Sequence, residues 1–151
     1  MAPPQMTGNK MIKAEREGVV YFQFAGLNEF SELDHRIFSR IGGRSQAPFD
    51  ELNVAYSVGD RLEDVRQNRR LVAKAGDCRY TVYANQVHGT EVLIYTGSEA
   101  AAALPERPRS GDALITDIPG LALVIQVADC QAILLYDSVP VSYTHLTLPT
   151  T

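Results

Sequence analysis

Residues 121–127 are apolar at nearly every position, which is the pattern of a β-strand buried on both faces. A strand of this kind requires a domain that covers it from two sides. A chain of 151 residues is long enough to bury such a core without a disulfide or a metal to hold it together. Gln126 and Asp129 keep the apolar stretch well short of a bilayer span, so we expect no membrane segment.

Other short segments rich in β-branched, aromatic and aliphatic residues predict further strands at 19–24, 36–40, 80–84, 91–95 and 113–116, and residues 131–137 resume the apolar pattern. Asp60 and Glu63 have the spacing of a capping box and open an amphipathic segment that predicts a helix over 61–74, ended by Gly76. Asn68 could be an exception to the solvated face that we expect the arginines of this helix to form, which are Arg61, Arg66, Arg69 and Arg70.

The charge balance limits the classes of partner. The chain carries 18 acidic and 14 basic side chains, for a formal net charge of -4, which argues against a surface that neutralises nucleic-acid phosphates. Residues 1–17 form a polar lead-in without the apolar run of an export signal, so the expected location is the cytoplasm. In that reducing compartment Cys78 and Cys130 are core thiols, nucleophiles or metal ligands, since two cysteines make no disulfide framework.

The glycine-containing loop at 41–48 is the first candidate site. Guanidinium groups from Arg40 and Arg44, backbone N–H groups at Gly42 and Gly43, and the Ser45 hydroxyl could together cradle an anion. The loop lacks the Gly-Lys-Ser/Thr ending of a P-loop. An ordinary turn with solvated arginines accounts for these residues equally well.

His88 and Cys130 form the second candidate site, because each lies at the edge of a predicted strand beside small or polar residues. Imidazole and thiolate are donors suited to zinc or copper. The same pair could instead be a nucleophile and its base, with Cys130 as the attacking thiolate. Taken singly, His88 is more simply a loop histidine and Cys130 a small buried side chain.

Several short motifs, in order along residues 18–140, together resemble one family. The chain is similar to the multicopper polyphenol oxidase family, whose members are also called laccase-domain, purine nucleoside phosphorylase or peptidoglycan-editing-factor proteins. The motifs that carry the resemblance are residues 35–45, Leu52-Asn53, Val58-Gly59-Asp60, Asn68-Arg69, Gln86-Val87-His88-Gly89, residues 112–116 and Ala128-Asp129-Cys130.

The resemblance implies an α+β layered fold, an α/β sandwich of the laccase-domain type, with a single metal that is usually zinc. It assigns His88 and Cys130 as two of the metal ligands. The third ligand of the family is a histidine in a stretch like His-Ala-Gly-Trp-Arg-Gly beyond the cysteine. No such stretch occurs here, and the chain contains no Trp.

Residues 141–151 do not follow the family pattern and look like the translation of a sequencing-library adapter. We therefore expect residues 18–140 to be the N-terminal part of a single domain and 141–151 to be a non-native tail. His145 would then be a decoy, not the third ligand. With only two donors, the chain should bind metal weakly and have little activity.

For the intact family the resemblance implies phosphorolysis of adenosine, inosine, guanosine or methylthioadenosine, and deamination of adenosine. Arg40 with the Gly42–Gly43 backbone could hold the phosphate, assisted by Arg44 or Ser45. Either Asn53 or Gln86 could hydrogen-bond the nucleoside. Asp129, beside a ligand, is a candidate for orienting it or for handling a proton.

Two other functions stay open. The older family name suggests copper-dependent phenol oxidation, although three histidines cannot furnish several histidine-rich copper centres. The other is a metal-free role, either as a binding or cell-wall-editing accessory protein or as a thiol hydrolase that uses Cys130. The sequence leaves the preferred nucleoside, the physiological metal and the oligomeric state open.

Overall fold

The computed structural model describes residues 10–97 and 108–138, together with the short strand at 147–148. The chain divides into two compact units, Met1–Asp77 and Cys78–Thr151, called unit 1 and unit 2 below. The described residues mix helix and strand, which confirms the α+β class. None of the helices within these ranges has the length and apolar character needed to cross a membrane.

Unit 1 contains an antiparallel sheet in the order β1-β2-β3, formed by Met11–Arg16, Val19–Phe24 and Ile37–Phe38. Glu17 and Gly18 join β1 to β2 in a two-residue turn with φ of 58° and 78°, the left-handed pair that a tight hairpin needs. The prediction for β2 is confirmed at both ends. The predicted strand at 36–40 is shorter in the structure, where only the two residues of β3 pair with β2.

Strand β1 was not predicted. Five of its six residues are exposed, so its side chains show no alternation of apolar and polar positions. It forms because all six residues pair with the largely buried β2. Pairing with a neighbouring strand therefore determines the conformation of β1.

Unit 1 also contains a 3-10 helix at Leu27–Glu29. Its α-helix, α1, spans Leu62–Ala75 and ends at Gly76, whose N–H bonds to the Val72 carbonyl at 2.9 Å. This confirms the predicted helix to within a residue. Its buried positions follow helical spacing and face a core that also contains β2 and the loop after β3. The core cluster consists of Val19, Leu52, Val72 and Ala75.

Two details of α1 differ from the prediction. The capping box is wrong: Arg61 is the N-terminal cap residue and makes no side-chain cap, because the Asp60 carboxylate bonds to residues of the preceding loop. The solvated face is confirmed for three of the arginines. The exception among the four is Arg69, which is half-buried, with Nε 2.8 Å from the Val54 carbonyl and its guanidinium 4.1 Å from the Tyr56 ring centroid.

Unit 2 is built from parallel strand pairs. Strand β4 (Tyr80–Tyr83) pairs with β7 (Leu121–Val124), and β5 (Val92–Tyr95) pairs with β6 (Ala113–Thr116). Strand β8 (Gln131–Ala132) pairs antiparallel with β9 (Thr147–Leu148). The positions of β4 to β7 agree with the predicted strands to within three residues at each end. The core cluster consists of Val82, Ala84, Leu93, Tyr95, Leu114 and Leu121.

Burial of β7 differs from the prediction for 121–127. The strand ends at Val124, and Leu121, Leu123 and Ile125 are the residues that join or pack against the core cluster. These alternate positions lie on one face of the strand, but only Leu121 is buried. Leu123, Ile125 and the side chains between them are half-buried, and Val127 is 50% exposed. The expectation of burial on both faces is therefore wrong for the described residues.

Candidate functional site

The glycine pair of the 41–48 loop lies where two backbone segments approach each other closely. Gly42 has a φ of 95°, and a Cβ placed on it would overlap the carbonyl oxygen of Gly18. A Cβ on Gly43 would overlap the carbonyl oxygen of Glu51. Packing alone therefore requires glycine at both positions, whatever the loop binds.

The positive groups of this loop face carboxylates of the chain itself. The Gly42 N–H donates to Glu51 Oε2 at 2.7 Å. The Arg40 side chain is 72% exposed, with Nη2 3.9 Å from Asp50 Oδ2. An N–H group and a guanidinium of the predicted anion cradle thus each face an internal anion, which indicates that the turn accepts negative charge at these atoms.

The side chains of Ser45 and Asn53 both donate hydrogen bonds to Asp60. Ser45 Oγ donates to Asp60 Oδ2 at 2.6 Å, and Asn53 Nδ2 donates to the same oxygen at 2.8 Å. These hydrogen bonds, that from Ser45 first, hold the pKa of the Asp60 carboxyl below its usual range. Ser45 is buried and only 3% exposed, so its role as a phosphate ligand stays a prediction.

Asn68 is the hub of this loop, and it is fully buried. Its Oδ1 accepts the Arg44 N–H at 2.7 Å. Its Nδ2 donates to Ser45 Oγ at 2.9 Å and to the carbonyl oxygens of Glu51 at 3.1 Å and Asn53 at 2.8 Å. The sequence marks Asn68 as an exception on the helix but does not reveal this role. The sequence signal that could have predicted it is the position of Asn68 on the apolar face of the helix, at helical spacing between the apolar residues 65 and 72.

In unit 2, a carboxylate determines the conformation of the loop that carries His88. Asp112, which is 6% exposed, accepts backbone N–H groups from Val87 at 3.1 Å, His88 at 2.9 Å and Gly89 at 2.8 Å. His88 has a φ of 55°, in the left-handed region that disfavours a residue with a Cβ, and its side chain is exposed. Sequence alone did not single out Asp112 as a functional residue, although Asp112 is the first residue of the 112–116 motif and immediately precedes strand β6.

A second hydrogen bond ties the His88 loop to the segment that leads to Cys130. The Gln126 N–H donates to Gln86 Oε1 at 2.8 Å. Gln126 lies four residues before Cys130, which is half-buried with a free thiol, and Asp129 is exposed. The Gln86 side chain thus connects two loops of unit 2, and its predicted contact with a nucleoside stays a prediction.

The donors that the chain offers a metal match zinc chemistry only in part. His88 presents an exposed imidazole and Cys130 a free thiol, and both are donor types that zinc binds in proteins. Within the described ranges, no three His, Cys, Asp or Glu residues are grouped so that they could hold a metal ion. His145 lies outside the described residues. In the described part of unit 2, the predicted donor set is therefore limited to His88 and Cys130, and their role as metal ligands stays a prediction.

Comparison with known proteins points to one family. A family model described as multi-copper polyphenol oxidoreductase laccase matches residues 34–145. A Streptomyces griseus protein named purine nucleoside phosphorylase ORF3 is 42% identical over 102 residues, covering 66% of this chain and 40% of its own length. The Escherichia coli purine nucleoside phosphorylase YfiH is 35% identical over 97 residues, covering 64% of this chain and 37% of its own length.

Solved structures show the same fold. YlmD from Geobacillus stearothermophilus matches with a TM-score of 0.70 and 27% identity, over 93% of this chain and 53% of that one. The Neisseria meningitidis protein NMB0706 matches with a TM-score of 0.64 and 27% identity, over 93% of this chain and 50% of that one. The chain therefore spans about 40% of the length of the curated relatives and about half of the solved chains.

Proposed function

Because the chain belongs to the multi-copper polyphenol oxidoreductase laccase family, we propose that it is part of an enzyme that acts on purine nucleosides. The reactions are phosphorolysis of adenosine, inosine, guanosine or methylthioadenosine to the base and a pentose 1-phosphate, and deamination of adenosine. The observation that carries the proposal is that relatives 35% and 42% identical to this chain are named purine nucleoside phosphorylases. Cys78 and Cys130 form no disulfide, which suits a reducing compartment, and the proposal places the protein in the cytoplasm.

In this proposal zinc is held by His88, Cys130 and a third donor outside the described residues. A zinc ion with three protein donors supplies Lewis acidity at its remaining open position. The Asp112 carboxylate holds the backbone of the His88 loop, and the Gln86–Gln126 hydrogen bond links that loop to the segment before Cys130. Asp129 is exposed beside Cys130, where its carboxylate can exchange protons with solvent or substrate.

Phosphate is assigned to Arg40 and the Gly42–Gly43 backbone, where Glu51 now accepts the Gly42 N–H. A phosphate that takes this N–H must displace the Glu51 carboxylate. Glu51→Gln should therefore tighten phosphate binding several-fold, measured by isothermal titration with inorganic phosphate. The matched control is Glu63→Gln, which makes the same charge change on an exposed helical residue and should leave the affinity unchanged. Equal phosphate affinities in the wild-type protein, Glu51→Gln and Glu63→Gln would contradict the assignment of phosphate to this loop.

Product analysis tests the activity. The chain spans about 40% of the length of its curated relatives, so the assay uses the full-length gene product beside the 151-residue chain. Each is incubated with adenosine and zinc, with and without phosphate, and adenine and inosine are separated chromatographically. We expect phosphate-dependent adenine release from the full-length protein, little from the 151-residue chain, and none after His88→Ala. Absence of adenine and of inosine from the zinc-loaded full-length protein would contradict the proposal.

The family description names a second candidate, copper-dependent phenol oxidation. The same preparations, loaded with copper and supplied with a diphenol and oxygen, measure it through oxygen uptake. Enzyme-dependent oxygen uptake without any nucleoside product would favour this candidate. We rank it second because the relatives matched by sequence are named purine nucleoside phosphorylases.

A further inference from the structure

We propose that Asp112 is the positioning residue for His88: its carboxylate holds His88 in a strained left-handed conformation and thereby presents the imidazole to the metal. This inference rests on the proposed function, because it takes His88 as a metal ligand. It adds a residue that the donor set does not contain and that lies 24 positions away in the sequence. Asp112 acts through the backbone, so its role is positioning, not catalysis.

The first support is the convergence of three successive N–H groups on one carboxylate. Val87 and His88 donate to Oδ1 at 3.1 and 2.9 Å, and Gly89 donates to Oδ2 at 2.8 Å. Hydrogen bonds to an ionised carboxylate are stronger than those between neutral groups. Three consecutive N–H groups point to one side of the chain only when the backbone leaves the extended conformation. The left-handed turn at His88 meets that requirement.

The second support is the rigid base of the carboxylate. Asp112 directly precedes β6, and its own N–H bonds to the Glu91 carbonyl at 3.0 Å. The preceding Gly111 packs so closely on Leu93 that a Cβ there would lie 2.7 Å from the Leu93 Cγ. The Asp112 carboxylate is therefore anchored to the β5–β6 strand pair and not to a second loop.

The third support is the choice of residue at the strained position. Glycine adopts the region of positive φ without strain, whereas a residue with a Cβ, such as His88, Glu17 or Asp77 in this chain, is held there at a cost. Here the left-handed residue is His88, although Gly89 is its immediate neighbour. Strained backbone persists where the surroundings hold it, and such residues cluster at functional sites. An imidazole that is held against strain and exposed to solvent fits a ligand better than a simple turn residue.

A double-mutant cycle on the metal-free 151-residue chain tests whether Asp112 holds His88 in its strained conformation. It uses His88→Gly, Asp112→Asn and the double variant. Glycine relieves the strain, so His88→Gly alone should raise Tm by about 2–4 °C. Once Asp112→Asn has released the loop, the same substitution should raise Tm by less than half as much. An equal gain in both backgrounds would overturn the proposal, since Asp112 would then hold no strain at His88.

Hydrogen exchange keeps the test informative if Asp112→Asn fails to fold. In the wild-type chain, the amides of residues 87–89 should exchange slowly although all three residues are exposed. Fast exchange at all three would overturn the proposal without any variant.

Zinc affinity of the full-length protein, measured by competition with a chromophoric chelator, tests the link to the metal. Asp112→Asn should weaken zinc binding about 10–100-fold, and it should have no further effect in a His88→Ala background. The matched control is Asp117→Asn, whose carboxylate accepts one backbone N–H from Gly97 at 3.2 Å and which should leave the affinity unchanged.

The two failures are distinguishable. If His88→Ala leaves zinc affinity unchanged, His88 is not a zinc ligand, and both the proposed metal site and the positioning role of Asp112 are refuted. If His88→Ala abolishes zinc binding while Asp112→Asn has no effect, only the positioning role falls.

Discussion

Replacing Asn68 with alanine should destabilise unit 1 far more than any exposed substitution on the same helix. Asn68 is fully buried and makes four hydrogen bonds, two to Arg44 and Ser45 of the glycine-containing loop and two to Glu51 and Asn53 in the segment that follows it. Each such bond contributes about 1 kcal/mol net, and three of them share the two hydrogens of Nδ2. The expected loss is therefore about 3 kcal/mol, a large fraction of the roughly 5–15 kcal/mol that stabilises a domain.

Urea denaturation followed by circular dichroism measures this loss as a lower unfolding midpoint with an unchanged slope. The matched control is Gln67→Ala on the adjacent residue, whose Nε2 reaches only Glu63 Oε1 at 3.2 Å on the exposed side of the helix. It should cost about 0.5 kcal/mol or less. A loss below about 1 kcal/mol for Asn68→Ala would refute the role of Asn68 as a hub.

Asn68→Asp sharpens the test because it keeps the shape and removes the donors. The new carboxylate would face the carbonyl oxygens of Glu51 and Asn53 without an N–H to give them. Burial and these oxygens would raise its pKa in the folded state, so the stability that its protonation supplies is present at low pH and lost as pH rises. The variant should therefore be closer to wild type at pH 4.5 than at pH 7. A pH-independent difference would contradict this explanation.

Three further predictions concern other parts of the chain. Gly43→Ala should cost about 2–3 kcal/mol, because its Cβ would overlap a backbone carbonyl oxygen, whereas Gly26→Ala, with open space around its Cβ, should be neutral in the same urea assay. Burial lowers the pKa of His35 in the folded state below its ordinary value near 6.5. The stability that the neutral imidazole contributes is therefore complete above pH 6.5 and is lost as pH falls toward the folded-state pKa. Tm should fall accordingly below pH 6.5 in the wild-type chain, and this fall should disappear in His35→Gln. Leu114→Ala, at a fully buried core position, should cost about 2–5 kcal/mol, whereas Ile94→Ala, 58% exposed, should cost about 0.5 kcal/mol.

Local pattern was enough to predict most of the elements. The apolar and aromatic run of β2 and the helical spacing of α1 each identify their element, and the boundaries agree to within a residue. Strand β1 was missed because its conformation comes from pairing with β2 and not from its own side chains. The burial of β7 was overestimated because apolar composition does not show which face of a strand is covered.

The candidate sites were located by motif, but their internal contacts were not predictable. His88, Cys130 and the Gly42–Gly43 turn are visible in the sequence as residue types with a chemistry. Asp112 and Glu51, which accept backbone N–H groups of His88 and Gly42, lie elsewhere along the chain. The same holds for Gln126, which donates to Gln86 in the His88 loop.

The sequence by itself therefore determined the family and the α+β class, and it supplied the residues that we predict to bind a metal or an anion. The tertiary structure alone decided that Asp112 holds the His88 loop, that Asn68 organises the glycine loop and that Glu51 occupies the Gly42 N–H. Periodicity reports on residues two to four apart, which are neighbours in any strand or helix. Hydrogen bonds that span 9, 24 or 40 residues form only when packing brings the segments together, so no local pattern contains them.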